Sequence, residues 1–332
     1  MTLAPPPACL VEDGRQHLGR FSGPLRANLI DAPYLRLPRP LRRLRLKEWQ
    51  AVQIASPHVF VNVALFDAKL MQLMQLKIFD RESGEKTVHE WKLRPGAFTL
   101  ADQLLDSHNV YRDRRGELSF TNRFASAITI EIDQRDITGR IEVATSRGAS
   151  HVASLPFARA GMYSHKGMFP ASGELRVGDK TFAFAGDTLA LLDDHKGYYP
   201  YVMRWDWVTS AVVHDGVARG FNLTRNQCRD PDTYNENCAW FGDRLGVLPA
   251  VDFTREHERA PGERWLIRDR DGRVSLQFTP TVPGDVDVNA VIVHSTYRGP
   301  FGHFEGRLEP EGLPAIQVDG WFGMGEDFHL RC

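Results

Sequence analysis

Long apolar runs, paired cysteines and a surplus of either charge are what this 332-residue chain has little of. Its richest hydrophobic stretch, Val59 to Phe79, is interrupted by Asn62, Asp67, Lys69, Gln72, Gln75 and Lys77. Nothing therefore approaches the roughly 20 residues that a membrane-crossing helix needs. Met1 to Gly14 is proline-rich and lacks the basic start and apolar centre of a secretory signal. Cys9, Cys228, Cys238 and Cys332 show no close pairing with one another, so no zinc pattern appears. Scattered thiols of this kind point to reduced cysteines and a cytoplasmic location. Forty-one basic against forty-two acidic side chains leave a net charge of −1. That balance argues against a nucleic-acid partner held by phosphate contacts. No Gly-x-Ser-x-Gly elbow, Walker loop or dinucleotide glycine motif follows a strand-like run. Neither a cofactor nor a metal is called for.

What the chain does have is strands and turns. Val59 to Asp67 and Leu73 to Phe79 are apolar runs of strand length, and Asp80 to Gly84 is a turn before a return strand at Lys86 to Leu93. Ile128, Ile130 and Ile132 alternate with polar residues, as do Ile141 and Val143. Gly178-Asp179 and Asp215-Gly216 mark hairpin tips, because such turns need positive φ. A run from Val286 to Tyr297 reads as one further strand, and Leu41 to Gln50 as one of few helices. The expectation is an all-β sandwich or barrel, and 37.6 kDa suits two medium domains. A weak repeat supports a recurring unit. Gly173-Glu-Leu175, Gly186, Asp193 and His195 are matched by Gly306-Arg-Leu308, Gly320, Asp327 and His329.

Between Asp193 and Trp240 aromatic rings alternate with Asn, Asp and His, the mixture that lines a ligand pocket. Pairing His214 with Val217 across the Asp215-Gly216 tip sets Trp205 opposite Asn226, Trp207 opposite Thr224 and Thr209 opposite Asn222. Those six share one face and would line the cavity. Asp206 opposes Arg225 on the other face, as a structural pair. A three-residue loop would instead bring Asp206 to the cavity as a catalytic carboxylate. His195 is the foremost proton-transfer candidate, with Asp193 on its own side of an extended segment and Asp194 on the other. The plainer alternative is a pair that anchors a strand end. For Trp205, Trp207 and Tyr199 the alternative is core packing, and for Asn222, Asn226 and Asn237 it is turn-making and backbone capping. His165, Glu236 and Trp240 complete the set of candidate ligand contacts.

The run Ser172-Gly-Glu-Leu-Arg-Val, Thr181 to Gly186, Asp194-His195 and Trp205-Asp-Trp207 resembles the hydroxyneurosporene synthase (carotenoid 1,2-hydratase)/AttH-like proteins. The longer run Asp194-His-Lys-Gly-Tyr-Tyr-Pro-Tyr201, with Gly220 to Thr224 and Glu236-Asn237, resembles the DUF2804 family, over most of the chain. The resemblance implies two lipocalin-like antiparallel β-barrel domains in tandem. An N-terminal extension would span residues 1–20, one domain 21–160, and a second, carrying the pocket, 161–332. It also implies a lyase, hydratase, isomerase or cyclase using acid–base chemistry on a small apolar or amphipathic ligand, without a cofactor. His195 would move the proton in the second barrel. A non-catalytic lipid carrier, and a hydrolase using Asp206 with Glu236, stay open, as does a homodimer.

Overall fold

The computed structural model describes residues 3–157, 161–290 and 293–331. Among the described residues strands make up 61% and helix 5%, arranged as two curled antiparallel half-barrel sheets, as expected for tandem lipocalin-like domains. The first compact unit comprises residues 3–154 and 161–198 of those described, and the second 155–157 and 199–331.

In the first unit the strands used below are β1 (Lys47–Ala55), β2 (Val59–Asp67), β3 (Gln72–Asp80), β4 (Gly116–Arg123), β5 (Ala127–Gln134), β6 (Ile137–Val143), β7 (Gly161–Val177) and β8 (Leu189–Gly197). Their sheet order is β3-β2-β1-β8-β7-β6-β5-β4. Side chains alternate across a strand, so one face gathers Val52, Ile54, Val61, Val63, Ile128, Ile130, Phe169 and Leu192 into a single core. The second unit contains β9 (Val202–His214), β10 (Val217–Arg225), β11 (Asp252–Glu256), β12 (Arg264–Arg268), β13 (Val274–Val282), β14 (Val293–Arg298), β15 (Phe301–Leu308) and β16 (Ile316–Arg331). Its order is β10-β9-β16-β15-β13-β12-β11, with β14 also paired to β16. Val208, Phe221, Leu223, Trp265, Phe278 and Phe304 form its core.

The two sheets share one connectivity, and the registers coincide. Asn122, Ile128, Val143 and Ala171 form one rung across β4, β5, β6 and β7. Arg255, Trp265, Phe278 and Phe304 form the corresponding rung across β11, β12, β13 and β15. Each rung ends two residues before a glycine of positive φ, Gly173 at 127° and Gly306 at 130°. A Cβ on Gly173 would lie 2.1 Å from the Arg140 carbonyl oxygen, and one on Gly306 2.1 Å from that of Ser275. The repeat seen in the sequence is thus a structural repeat, pinned by the same close backbone approach.

Two expectations are corrected. The helix expected over Leu41 to Gln50 is α1 (Arg39–Arg45), and Lys47 already starts β1. Gln50, Val52 and Ile54 face the core at strand spacing, which a helix could not bury together. The strand expected over Val286 to Tyr297 is two paired strands, Asp285–Ala290 and β14; residues 291–292 lie outside the described residues. The domain junction expected at 160/161 adjoins residues 158–160, also outside the described ones. The contacts place the division at 198/199, because β8 pairs with β1 and β7 and carries residues 189–197 into the first unit.

The glycine pins predict a graded cost. Gly173→Ala and Gly306→Ala should each lower unfolding stability by about 2–4 kcal/mol, since neither backbone can yield. Gly178→Ala, where φ is 57° and nothing lies within 4 Å of a Cβ, should cost only about 1 kcal/mol. Urea unfolding of the three variants measures the difference, and equal losses would contradict it.

Candidate functional site

Every residue of β8 is buried, so its alternation puts polar groups into two separate settings. On the face away from the core, His195 opposes Trp49 on β1 and Ser164 on β7, and Asp193 opposes Lys166. His195 Nε2 lies 2.9 Å from Asp193 Oδ1 and 3.0 Å from Ser164 Oγ. Both contacts use the same ring nitrogen, which is not the relay of a Ser-His-Asp triad, where the two nitrogens serve different partners. The Trp49 indole stacks on the imidazole, ring centroids 4.3 Å apart. Lys166 Nζ donates to Asp193 at 2.6 Å, and Trp49 Nε1 donates at 3.4 Å. Burial favours the protonated Asp193, but the charges of Lys166 and His195 outweigh it and hold the carboxyl down at about 2. This aspartate is a fixed anion.

Asp194 points the other way, into the core. Its cross-strand neighbours are Gln50 on β1 and His165 on β7, and it accepts a hydrogen bond from the Tyr163 hydroxyl. Here burial outweighs the charges of Lys196 and His195 and lifts the carboxyl to about 6. Tyr163 is itself raised well above its ordinary range, by burial and then by Asp194. His165 contacts Ser150 Oγ through Nε2 at 3.0 Å, while its buried Nδ1 has no hydrogen-bond partner. Burial, reinforced by His151, depresses this imidazole to about 3, so it stays neutral. Phe124 lies over it at 4.9 Å. Amides complete the wall: Gln50 donates to Asn122 Oδ1 at 2.7 Å and accepts from Asn109 at 2.6 Å. Toward the β1 start, Lys196 pairs with Glu48 at 2.9 Å, and Lys69 bridges Glu48 and Asp67.

The second unit carries a counterpart at the same positions. Asp327 opposes Asp206 on β9 and Arg298 on β14, as Asp194 opposes Gln50 and His165. Arg255 reaches Asp206 just as Asn122 reaches Gln50. Asp194 and Asp327 each follow their glycine pin by the same interval, so the partner of Asp327 in the repeat is Asp194. The match to Asp193 read from the sequence is off by one, and one residue changes the face. The chemistry differs between the units. Arg225 grips Asp206 through Nε and Nη2 at 2.9 and 2.8 Å, Arg255 also approaches Asp327 at 3.4 Å, and Arg298 forks onto Glu263 with two 2.9 Å bonds. Trp265 donates to Glu263 at 2.8 Å and lies beneath Arg255 and Arg298. This set is closed by its own arginines.

The register inferred for the β9–β10 hairpin is the observed one: Trp207 opposes Thr224, Thr209 opposes Asn222 and Asp206 opposes Arg225. Asp215 and Gly216 have φ of 52° and 71°, as a two-residue turn requires. The Trp/Asn/Thr face, however, is the face away from the second core, and Asp206 shares the core face with Val208 and Leu223. The amides there bind backbone and neighbouring side chains. Asn222 accepts from Trp207 Nε1 at 2.7 Å and donates to the Glu236 carbonyl, and Asn237 joins the Thr224 amide to the Pro249 carbonyl. Asn226 donates to Glu236 Oε1 at 3.2 Å. Glu236 therefore sits on the side opposite Asp206, and the two do not converge as a hydrolytic pair. Trp205 stacks on Phe328 at 4.0 Å and lies 6.0 Å from Tyr199. Trp240 opposes Gly220 on this same face.

His195, Asp193 and His165 are thus brought near Asp194 on the two sides of one strand, whereas Asp206, Tyr199 and the Trp/Asn group belong to the other unit. Tyr163, Gln50, Asn122, Ser164, Lys166 and Arg255 escaped the sequence reading. The alternation in Tyr163-Ser-His-Lys166 was the available signal for three of them. Among the described residues no group of three His, Cys, Asp or Glu is placed to hold a metal.

The model of the family described as "Domain of unknown function (DUF2804)" matches residues 9–332. The chain belongs to the DUF2804 family. Among solved structures, this DUF2804 protein is similar to an AttH-like protein of Nitrosomonas europaea, with 15% identity, TM-score 0.51 and coverage of 85% and 92% of the two chains. Kievitone hydratase of Nectria haematococca matches with 13% identity, TM-score 0.46 and coverage of 86% and 88%. No curated protein matches the chain in sequence. At such identities the likeness speaks for the fold alone.

The raised carboxyl sets a pH dependence. Folded Asp194 holds its proton to about 6 and the unfolded chain releases it near 4, so stability falls as pH rises between those values. Asp194→Asn removes the titration and keeps an acceptor for Tyr163. It should raise the unfolding free energy by up to about 3 kcal/mol at neutral pH and change it little near pH 4. Denaturant unfolding at the two pH values measures this, and a loss of stability at neutral pH would contradict it.

Proposed function

We propose that the protein is an acid–base lyase of the hydratase type, acting on a largely apolar small molecule in the first half-barrel. Asp194 is its proton donor. The observation that carries this reading is the placement of Asp194 on the core face, out of water, held by Tyr163 and flanked by a neutral His165. A carboxylic acid that keeps its proton to about 6 can deliver it to a weakly basic carbon and take it back.

In the hydration direction the Asp194 proton forms the new C–H bond, the alkene π pair supplying the electrons. Water then adds its oxygen to the cationic carbon and gives up a proton to the Asp194 carboxylate. His165 positions that water through Nδ1, the atom left without a protein partner. The Phe124 ring, tilted against His165 and edge-on to Phe169 at 5.8 Å, faces developing positive charge with its π cloud. Atoms balance without a further reactant. On the opposite face, the Asp193–His195–Lys166 set holds β8 in register, a positioning role for the residue that the sequence put first.

Turnover in deuterated buffer tests the assignment. A panel of apolar alkenes and tertiary alcohols, offered without added cofactor, should yield product carrying one solvent deuteron on carbon. Asp194→Asn should lose about 100-fold or more in rate, while His165→Gln should keep proton transfer and slow water addition. If Asp194→Asn retains activity and His195→Ala, still folded, abolishes it, the acid lies on the other face. If the protein instead retains an apolar ligand in native mass spectrometry and consumes nothing, it is a carrier.

A further inference from the structure

Between Asp31 and Glu48 the chain carries Arg36, Arg39, Arg42, Arg43, Arg45 and Lys47 and no acidic residue. The same segment exposes Leu35, Leu41 and Leu44, large apolar side chains in the middle of that positive charge. Their exposure is built in. Tyr34, just before Leu35, is buried and stacked on Tyr198 with centroids 4.5 Å apart and rings 2° from parallel. Arg42 donates to the carbonyls of Asp31 and Ala32, and Leu46 is buried. Leu35 and Arg36 take φ of 49° and 55°, left-handed backbone that residues other than glycine seldom adopt. Asp31 pairs with Arg39, which leaves Arg36 and Arg43 as exposed cations without an acidic neighbour in the segment.

A second apolar tip lies at the same end of the first unit. The turn between β2 and β3 exposes Leu70 and Met71. Lys47, two residues beyond α1, donates to the Ala68 carbonyl of that turn, and Lys69 pairs with Glu48. The five apolar residues are 38% to 66% exposed.

We infer that this basic, leucine-studded rim docks the first unit onto an anionic lipid bilayer, the arginines meeting headgroups while Leu35, Leu41, Leu44, Leu70 and Met71 enter the interface. Charge selects the occupant. Exposed leucines among arginines are repelled by a second copy of the same cationic patch, whereas an anionic bilayer satisfies both features at once. The inference does not rest on the role given to Asp194.

Co-sedimentation of the whole protein with phosphatidylcholine vesicles containing about one-third phosphatidylglycerol tests it. Wild type should pellet with these vesicles at low salt, be released at high salt, and ignore pure phosphatidylcholine. Leu41→Ser/Leu44→Ser and Arg36→Glu/Arg43→Glu should each weaken binding at least tenfold with unchanged melting. Should the leucine variant melt early, the arginine variant decides alone. Failure of wild type to pellet, equal binding to neutral vesicles, or undiminished binding by the arginine variant would overturn the inference. So would concentration-dependent self-association that the leucine substitutions abolish, since a second copy would then be the occupant.

Discussion

A strand buried on both faces has to neutralise its polar groups separately on each, and that constraint organises the first half-barrel. β8 has no face turned to water, yet it carries Asp193, Asp194, His195 and Lys196 in succession. Strand alternation sends Asp193 and His195 one way, Asp194 and Lys196 the other. On one side Lys166 supplies a full charge and Asp193 stays ionised. On the core side Tyr163 supplies a hydroxyl, and burial prevails over the charges of Lys196 and His195. Two adjacent aspartates thereby acquire opposite protonation behaviour from their surroundings alone.

The second half-barrel shows what happens when the same constraint is met with arginine. Its rungs coincide with those of the first, down to the positive-φ glycine and the carboxylate that follows it. Where the first unit has Gln50, Asn122 and His165, the second has Asp206, Arg255 and Arg298. Asp206 and Glu263 are gripped there by guanidinium groups. Burial still raises Asp327 despite Arg255, so the desolvation built into this position is common to both units.

Much of the frame was legible in the residues. The Asp215-Gly216 tip determined the β9–β10 register, because a two-residue turn admits one pairing. The glycine repeat revealed the duplication. Which face of a strand meets the core was not legible in β9, since Trp205, Trp207 and Thr209 are as buried-looking as Asp206, Val208 and Ser210. Only long-range pairing of β9 with β16 and the core around Trp265 decides it. Strand alternation set Asp193 on the side of His195 and Asp194 on the other, whereas the raised Asp194 carboxyl comes from burial in a core that only long-range packing assembles. Arg255 reaches Asp206 from β11 across the barrel, a contact no hairpin arithmetic reaches.

The proposed chemistry depends on a buried carboxylic acid at Asp194 that holds its proton to about 6, and infrared difference spectroscopy observes that group directly. Between about pH 5 and 8 the wild type should show a protonated carboxyl stretch, with the high frequency of a poorly solvated acid, titrating near 6 and missing from Asp194→Asn. A band that persists in Asp194→Asn, or no protonated carboxyl above about pH 5, would contradict the account.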